Sequence, residues 1–286
     1  MSVLRPWRRL AGGAAAGAAT SVAARLVRAA PSGARDRWER TNHAGHPVSL
    51  LEGPEYVVGA AVGSLLTGSL AGLVAAAGAG ALGALDDLAG NGSSKGLHGH
   101  LAALRRGRVT TGAVKVVGLA LTGVVAVVIA QAESNHDVTR HPRTSVPDLL
   151  VGGAVVAGTA NLVNLLDLRP GRALKMTLLL GAPLALTGSR AAPAAVGSAA
   201  AALRDDLAGV SMLGDTGANA AGALLGVALL ERLGRRGRLV ALGVLTALTL
   251  TSEKVSFTTV IESTPVLREL DAWGRPSVEP GGEPSG

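Results

Sequence analysis

Asn161, Asn164 and Asp167 stand three residues apart at the end of an apolar run that begins at Leu149. On a helix, positions three apart share a face. Polar side chains lined up on one face of an apolar helix are costly enough to point to function. Two further acidic sites lie at the ends of apolar runs, Asp86-Asp87 and Gly214-Asp-Thr-Gly-Ala-Asn219. Asp86, Asp87, Asp167 and Asp215 together offer hard oxygen ligands. Mg²⁺ prefers these, uses only one or two carboxylates, and completes its octahedron with water and phosphate. Asn161 and Asn164 can donate hydrogen bonds to phosphate or sugar oxygens. Lys95, with Arg172 or Lys175, can clamp a phosphate. The glycines of Gly214-Asp-Thr-Gly217 let backbone approach a ligand closely, and a helix starting near Ala218 turns its positive end to the same place. These are the parts of a site for a metal and a diphosphate.

The elements that must position them are apolar throughout. The chain has 286 residues, no Cys, 40 Gly, 16% charged residues and a mean hydropathy of +0.38. A soluble domain carries about 25% charged residues. Apolar segments recur from end to end, so the expected fold is all-α, a polytopic transmembrane bundle of nine to ten spans in one domain over residues 1–275, with a disordered tail at 276–286. Small residues replace aromatics, as where membrane helices pack closely. The missing Cys excludes disulfides, thiolate metal sites and a Cys nucleophile. The net charge is +7, but no basic stretch is interleaved with aromatics, which argues against a nucleic-acid partner. The positive charge reads as topogenic.

Taken in order, the spans are Leu10–Val27, two short helices within Tyr56–Leu85 that turn near Gly68 to Gly72, Val109–Ala130, Asp148–Leu166, Ala173–Thr187, Ala191–Leu203, Ala218–Leu230 and Leu239–Thr251. The N-terminus is then outside and the C-terminus inside. Basic residues favour the inside loops only mildly, and Arg232, Arg235, Arg236 and Arg238 fall on the outside. Lys115 is left within a span. Asp86, Asp87, Asp167, Asp205, Asp206 and Asp215 all fall on the inner face. Pro265 to Trp273 reads as a short amphipathic helix.

Leu85-Asp-Asp-Leu88, Asn161-Leu-Val-Asn-Leu-Leu-Asp167 and Leu213-Gly-Asp-Thr-Gly217, in this order and each at the inner end of a span, resemble three motifs of the polyprenyl-phosphate N-acetylhexosamine-1-phosphate transferase superfamily, glycosyltransferase family 4. That superfamily includes phospho-N-acetylmuramoyl-pentapeptide transferase and the UDP-N-acetylglucosamine:undecaprenyl-phosphate transferases. The resemblance implies a Mg²⁺-dependent membrane enzyme of cell-envelope biosynthesis with a cytoplasmic active face. A polyprenyl phosphate attacks a UDP-sugar and UMP leaves. Asp86, Asp87 and Asp167 would be catalytic, one of the first two binding or deprotonating the lipid phosphate. Asp167, Asp87 and Asp215 would hold the metal. Asn161, Asn164, Lys95, Asp215 and Asn219 would bind substrate. A homodimer is a further expectation.

The family's final span has no counterpart among the apolar runs, and the chain departs from the family pattern at three further places. Leu168-Arg-Pro-Gly171 follows Asp167 where the family has Gly and a second Asp-Gly. Ala218 stands where a Ser is expected, with Asn219 adjacent. Ser252 to Pro265 occupies the place of the family's His-rich loop. An alternative reading is therefore a non-catalytic relative that binds the lipid carrier or organises envelope proteins. A small-molecule transporter would need its polar groups near the bilayer midplane, whereas these gather at one face.

Overall fold

The computed structural model describes residues 4–41, 45–89, 106–107, 111–134 and 145–276. Lys95, His98 and His100 lie outside the described residues, as does the tail from Ser277. The chain is all-α apart from one small hairpin. Its helices are α1 (Leu4–Ala29), α2 (Ser32–Arg35), α3 (Glu52–Thr67), α4 (Leu70–Ala89), α5 (Thr111–Ser134), α6 (Val146–Leu166), α7 (Arg172–Leu186), α8 (Ala192–Leu207), α9 (Gly214–Arg232), α10 (Arg235–Ser252), α11 (Phe257–Ser263) and α12 (Pro265–Ala272). The turn between α3 and α4 falls at Gly68, whose φ of +70° is a left-handed conformation that glycine adopts without strain.

The long helices alternate in direction. Arg28 at the end of α1 pairs with Asp205 at the end of α8 at 2.8 Å, and Arg8 near the start of α1 donates to the Leu66 carbonyl at the end of α3. Glu133 at the end of α5 accepts from the Leu70 and Ala71 N–H groups that open α4. Asp87 at the end of α4 bonds the start of α9, while Glu231 at the end of α9 bonds Ser189 just ahead of α8. One end of the bundle therefore gathers the starts of α3, α5, α7 and α9 with the ends of α1, α4, α6 and α8.

The helices fall where the apolar segments predict them. Among the described residues, α1, α4, α5 and α6 are each long and apolar enough to cross a membrane. The bent pair α10–α11 makes a fifth candidate. The remaining helices are shorter, so the structure supports a membrane protein with four or five candidate spans rather than nine to ten. Arg235 and Arg238, which ran against the charge rule, have local partners. Arg235 pairs with Asp148 at 3.2 Å, and Arg238 donates to the Leu230 and Leu233 carbonyls at the end of α9. A cation there offsets the negative end of the helix dipole.

The hairpin pairs β1 (Glu39–Thr41) with β2 (Pro47–Ser49), and Ser49 bridges to Ser211 between α8 and α9. Three-residue strands are too short for a period-two pattern, so the segment reads as loop in the sequence.

α9 is the axis of the bundle. Its residues from Thr216 to Ala228 are buried on every side, packed among α3, α4, α5, α6, α7 and α8. Such a helix meets no solvent or lipid, and its Ala/Gly composition lets neighbouring backbones touch it. A methyl placed on Gly222 would lie 2.5 Å from the Ala160 Cα on α6. Gly222→Ala should therefore force the two helices apart and cost roughly 1–3 kcal/mol. Gly243→Ala on α10, with nothing within 4 Å, should be neutral or stabilising by up to about 1 kcal/mol. Thermal unfolding of both variants in one detergent checks the contrast.

Candidate functional site

The site is built on the N-terminus of α9. The first N–H groups of a helix have no partner within it, and here that end is inside the protein. Asp87, from the last turn of α4, supplies the acceptors. One of its oxygens accepts the Asp215 N–H at 3.0 Å, and the other accepts the Thr216 N–H at 2.9 Å and the Thr216 hydroxyl at 2.6 Å. Gly83, one turn earlier on α4, makes this approach possible, because a side chain there would run into the Asp215 carbonyl. Arg40 ties β1 to the same place by donating to the Asp87 carbonyl.

Asp86 and Asp215 meet at Lys115 of α5, whose Nζ lies 2.7 Å from Asp215 and 3.6 Å from Asp86. Lys115 is a site residue that sequence reasoning passed over as a stray charge in a span. The signal was present, since an ionisable residue one turn into an apolar helix is costly without a partner.

Asp167 follows the last residue of α6 and sits beside Gly214, whose backbone N–H it accepts. It is buried, and its Oδ2 has no hydrogen-bond partner. Burial, then the neighbouring Asp206, Asp215 and Asp87, push its carboxyl well above the usual carboxylate range. Asp206, past the apolar stretch of α8, accepts the Gly171 N–H at 3.1 Å, and burial raises it to about 7. Glu52, ahead of the apolar stretch of α3, is buried, accepts the Ser211 hydroxyl, and leaves its Oε1 without a partner. Desolvation and then Asp206 raise it as well. A cavity of about 180 Å³ opens here, lined by Asp167, Asp206, Arg169, Ser211, Thr41 and Val48 among others. Glu52 was not a sequence candidate. It precedes its apolar run like an ordinary loop acid, and only the fold shows it inside.

The structure brings Asp86, Asp87, Asp167 and Asp215 to one end of the bundle, keeps Asn219 beside Asp215, and turns Asn161 to α10. Asn161 donates to the Thr249 hydroxyl of α10 at 3.3 Å. Steps of three residues rotate by about 60° each on a helix, so Asn161 and Asp167 diverge. Asn164 lends its backbone carbonyl to the Asp167 N–H. Asn219 is fully buried and donates back to the Asp215 carbonyl at 2.6 Å. Arg172 and Lys175 face the C-terminal segment, Arg172 bonded to Asp271 and Lys175 to the Leu270 and Asp271 carbonyls. Lys95 lies outside the described residues.

A cluster of buried acids is relieved by protonation or by a bound cation. Among the described residues, no three His, Asp or Glu side chains form a metal site of their own. Asp87 has both oxygens committed to α9, and Asp215 is paired with Lys115. The partnerless Oδ2 of Asp167 is the acceptor best able to take a cation. Mg²⁺ fits such a set in the mode where one or two carboxylates hold it and substrate phosphate and water fill the rest. No family model and no curated protein sequence matches the chain.

Two outcomes test this geometry. Asp87→Ala removes three charge-assisted hydrogen bonds, each worth roughly 1.5–3 kcal/mol. Amide hydrogen exchange at Asp215 and Thr216 should accelerate in it while the middle of α9 stays protected. For Asp206, the unfolded chain releases its proton near the ordinary carboxylate value and the native protein near 7. Stability then falls as pH rises from about 4 to 7 and levels off above. Asp206→Asn, which keeps an acceptor for Gly171, should flatten that part of the profile of melting temperature against pH.

Proposed function

We propose that the protein transfers a sugar-1-phosphate, of the N-acetylhexosamine type, from a UDP-sugar to a polyprenyl phosphate at the cytoplasmic face of the cell membrane, releasing UMP. The observation that carries this reading is the meeting of three distant motifs at one helix start. Asp87 holds the N-terminus of α9 in place, and Asp167 sits beside Gly214 with an oxygen left over. The first N–H groups of α9 are taken by Asp87 and Asp167, and the acids around that helix start suit the cation that accompanies a diphosphate. In the reaction, an oxygen of the lipid phosphate forms a bond to the β-phosphorus of the nucleotide sugar. The bond from that phosphorus to the bridging oxygen breaks, and UMP departs with it.

The chain's own residues divide the work. Asp86, which shares Lys115 with Asp215, would position or deprotonate the lipid phosphate. Asp87 is a positioning residue that sets the α9 terminus. Lys115 keeps two neighbouring acids from repelling each other. Asp167, through its unbonded Oδ2, would hold a Mg²⁺ that neutralises charge developing on the diphosphate. In this reading the apolar stretches of the nine long helices among the described residues cross the bilayer, with α9 shielded from lipid by its neighbours.

One observation favours a second reading, a non-catalytic relative that binds the lipid carrier. Asp86, Asp87 and Asp215 all have protein partners, so the cluster can serve the fold alone. UMP release decides between them. Purified protein with Mg²⁺, polyprenyl phosphate and a panel of UDP-N-acetyl sugars should release UMP only when lipid and metal are both present. Asp167→Asn should lower the rate at least roughly a hundredfold without changing the melting profile. Absence of release from every sugar, beside an active control enzyme, favours the non-catalytic reading.

A further inference from the structure

α10 ends at Ser252, and α11 leaves it at 92°. If α10 runs along the bilayer normal, α11 lies in the bilayer plane, at the end of the bundle that holds the acids. α12 follows and is amphipathic. Val266, Leu270 and Trp273 stand at i, i+4 and i+7, on one stripe, and are 67%, 57% and 71% exposed. The other side of α12 is clamped to the protein. Asp271 receives Arg172 through two hydrogen bonds of 2.8 and 3.1 Å and Arg275 at 2.9 Å. Lys175 donates to the Asp271 carbonyl at 2.7 Å. Arg275 also donates to the Pro170 carbonyl. With Asp271 turned inward, the apolar stripe is turned away from the bundle.

We propose that α11 and α12 form an interfacial strap. Val266, Leu270 and Trp273 sit in the lipid of the inner leaflet, while Asp271 holds the loop that follows Asp167. The occupant is the bilayer because the stripe continues a surface of the same kind. Leu239, Val240, Val244 and Leu250 of α10 are each half or more exposed. The exposed bases Lys254 and Arg268 stand beside the exposed acids Glu253 and Glu269, so the apolar stripe and not net charge seats the strap. A Trp with its ring at headgroup level is the expected anchor for such a helix. The strap borders the cavity, because Arg169 and Pro170 line it while Arg169 pairs with Glu262 of α11 and Arg275 bonds Pro170. The inference rests on the membrane reading and not on the transferase reading.

Bromine quenching of tryptophan fluorescence tests it on the full chain in lipid nanodiscs. Trp7→Phe with Trp38→Phe leaves Trp273 as the one indole. Its emission should be blue-shifted and quenched more by bromines near the headgroup than by bromines deep in the acyl chain. A control carries Val125→Trp on the exposed side of α5, with all three native Trp replaced by Phe, and should respond most to deep bromines. Val266→Ser with Leu270→Ser should cut the Trp273 quenching by at least about twofold. A quenched control beside a Trp273 open to aqueous iodide and blind to brominated lipid would overturn the strap and leave the membrane reading standing. If neither position is quenched, both fall. Unchanged Trp273 quenching in the double Ser variant would also overturn the assignment of the apolar stripe as the seat.

Discussion

The fold depends on a carboxylate that closes a helix start inside the protein. α9 is enclosed by six other helices, and its first N–H groups lie between the buried Gly214 and Thr216. Left open they would cost the full desolvation of each donor. Asp87 closes them, and everything at this end follows from that contact. α4 must end where α9 begins, so Gly83 must be small. Asp215, on the first turn of α9, is drawn beside Asp86 and needs Lys115. Gly214 is left with its N–H pointing at Asp167.

The far end uses the same device with a different balance of charge. Glu231 closes the start of α8 through Ser189, Arg190 and Ala191, and Glu133 closes the start of α4. Arg190 pairs with Glu133, and Arg232 and Arg238 line a cavity beside Glu231. There, acids are matched or outnumbered by arginines. At the Asp87 end, Glu52, Asp86, Asp87, Asp167, Asp206 and Asp215 gather with Lys115 close among them. Capping the helices does not require so much acid. What marks this end is that Asp167 and Glu52 are buried near each other, each with one oxygen unbonded, beside a cavity that Asp167 lines.

Much of this was legible in the sequence, for identifiable reasons. Apolar runs broken by charge mark the helices, and Gly68 marks the turn between α3 and α4 because a left-handed residue is needed there. The shared face of Asp86, Asp87, Asp167 and Asp215 follows from alternation of direction alone. What failed to show was whatever depends on rotation or depth. Asn161 and Asp167 share a three-residue spacing but not a direction, and Asn161 turns to Thr249. Glu52 looked solvated because burial comes from Ser211, more than 150 residues away. Apolar runs alone suggested nine to ten spans, whereas helix length and hydropathy support four or five among the described residues. A helix such as α9 is buried by protein, so its hydropathy carries no record of a membrane.

The departures from the family pattern also change meaning once the chain is folded. Leu168-Arg-Pro-Gly171 and the segment from Ser252 to Pro265 are far apart in sequence and in contact in space. Arg169 pairs with Glu262 at 3.3 Å, and Arg172, just past the loop, donates to Thr258 at 3.0 Å. Asp206 takes the Gly171 N–H from the other side. A loop decaying without constraint would lose such partners, since each exposed pair adds little by itself and nothing would keep several together. Here the buried Arg172–Asp271 pair fixes the arrangement, and removing either partner would strand a charge at a cost of several kcal/mol. The altered loop and the altered C-terminal segment therefore act as one substituted part. Leu168, Arg169 and Pro170 of the loop line the Asp167 cavity, and the C-terminal segment holds them there from behind through Glu262 and Arg275.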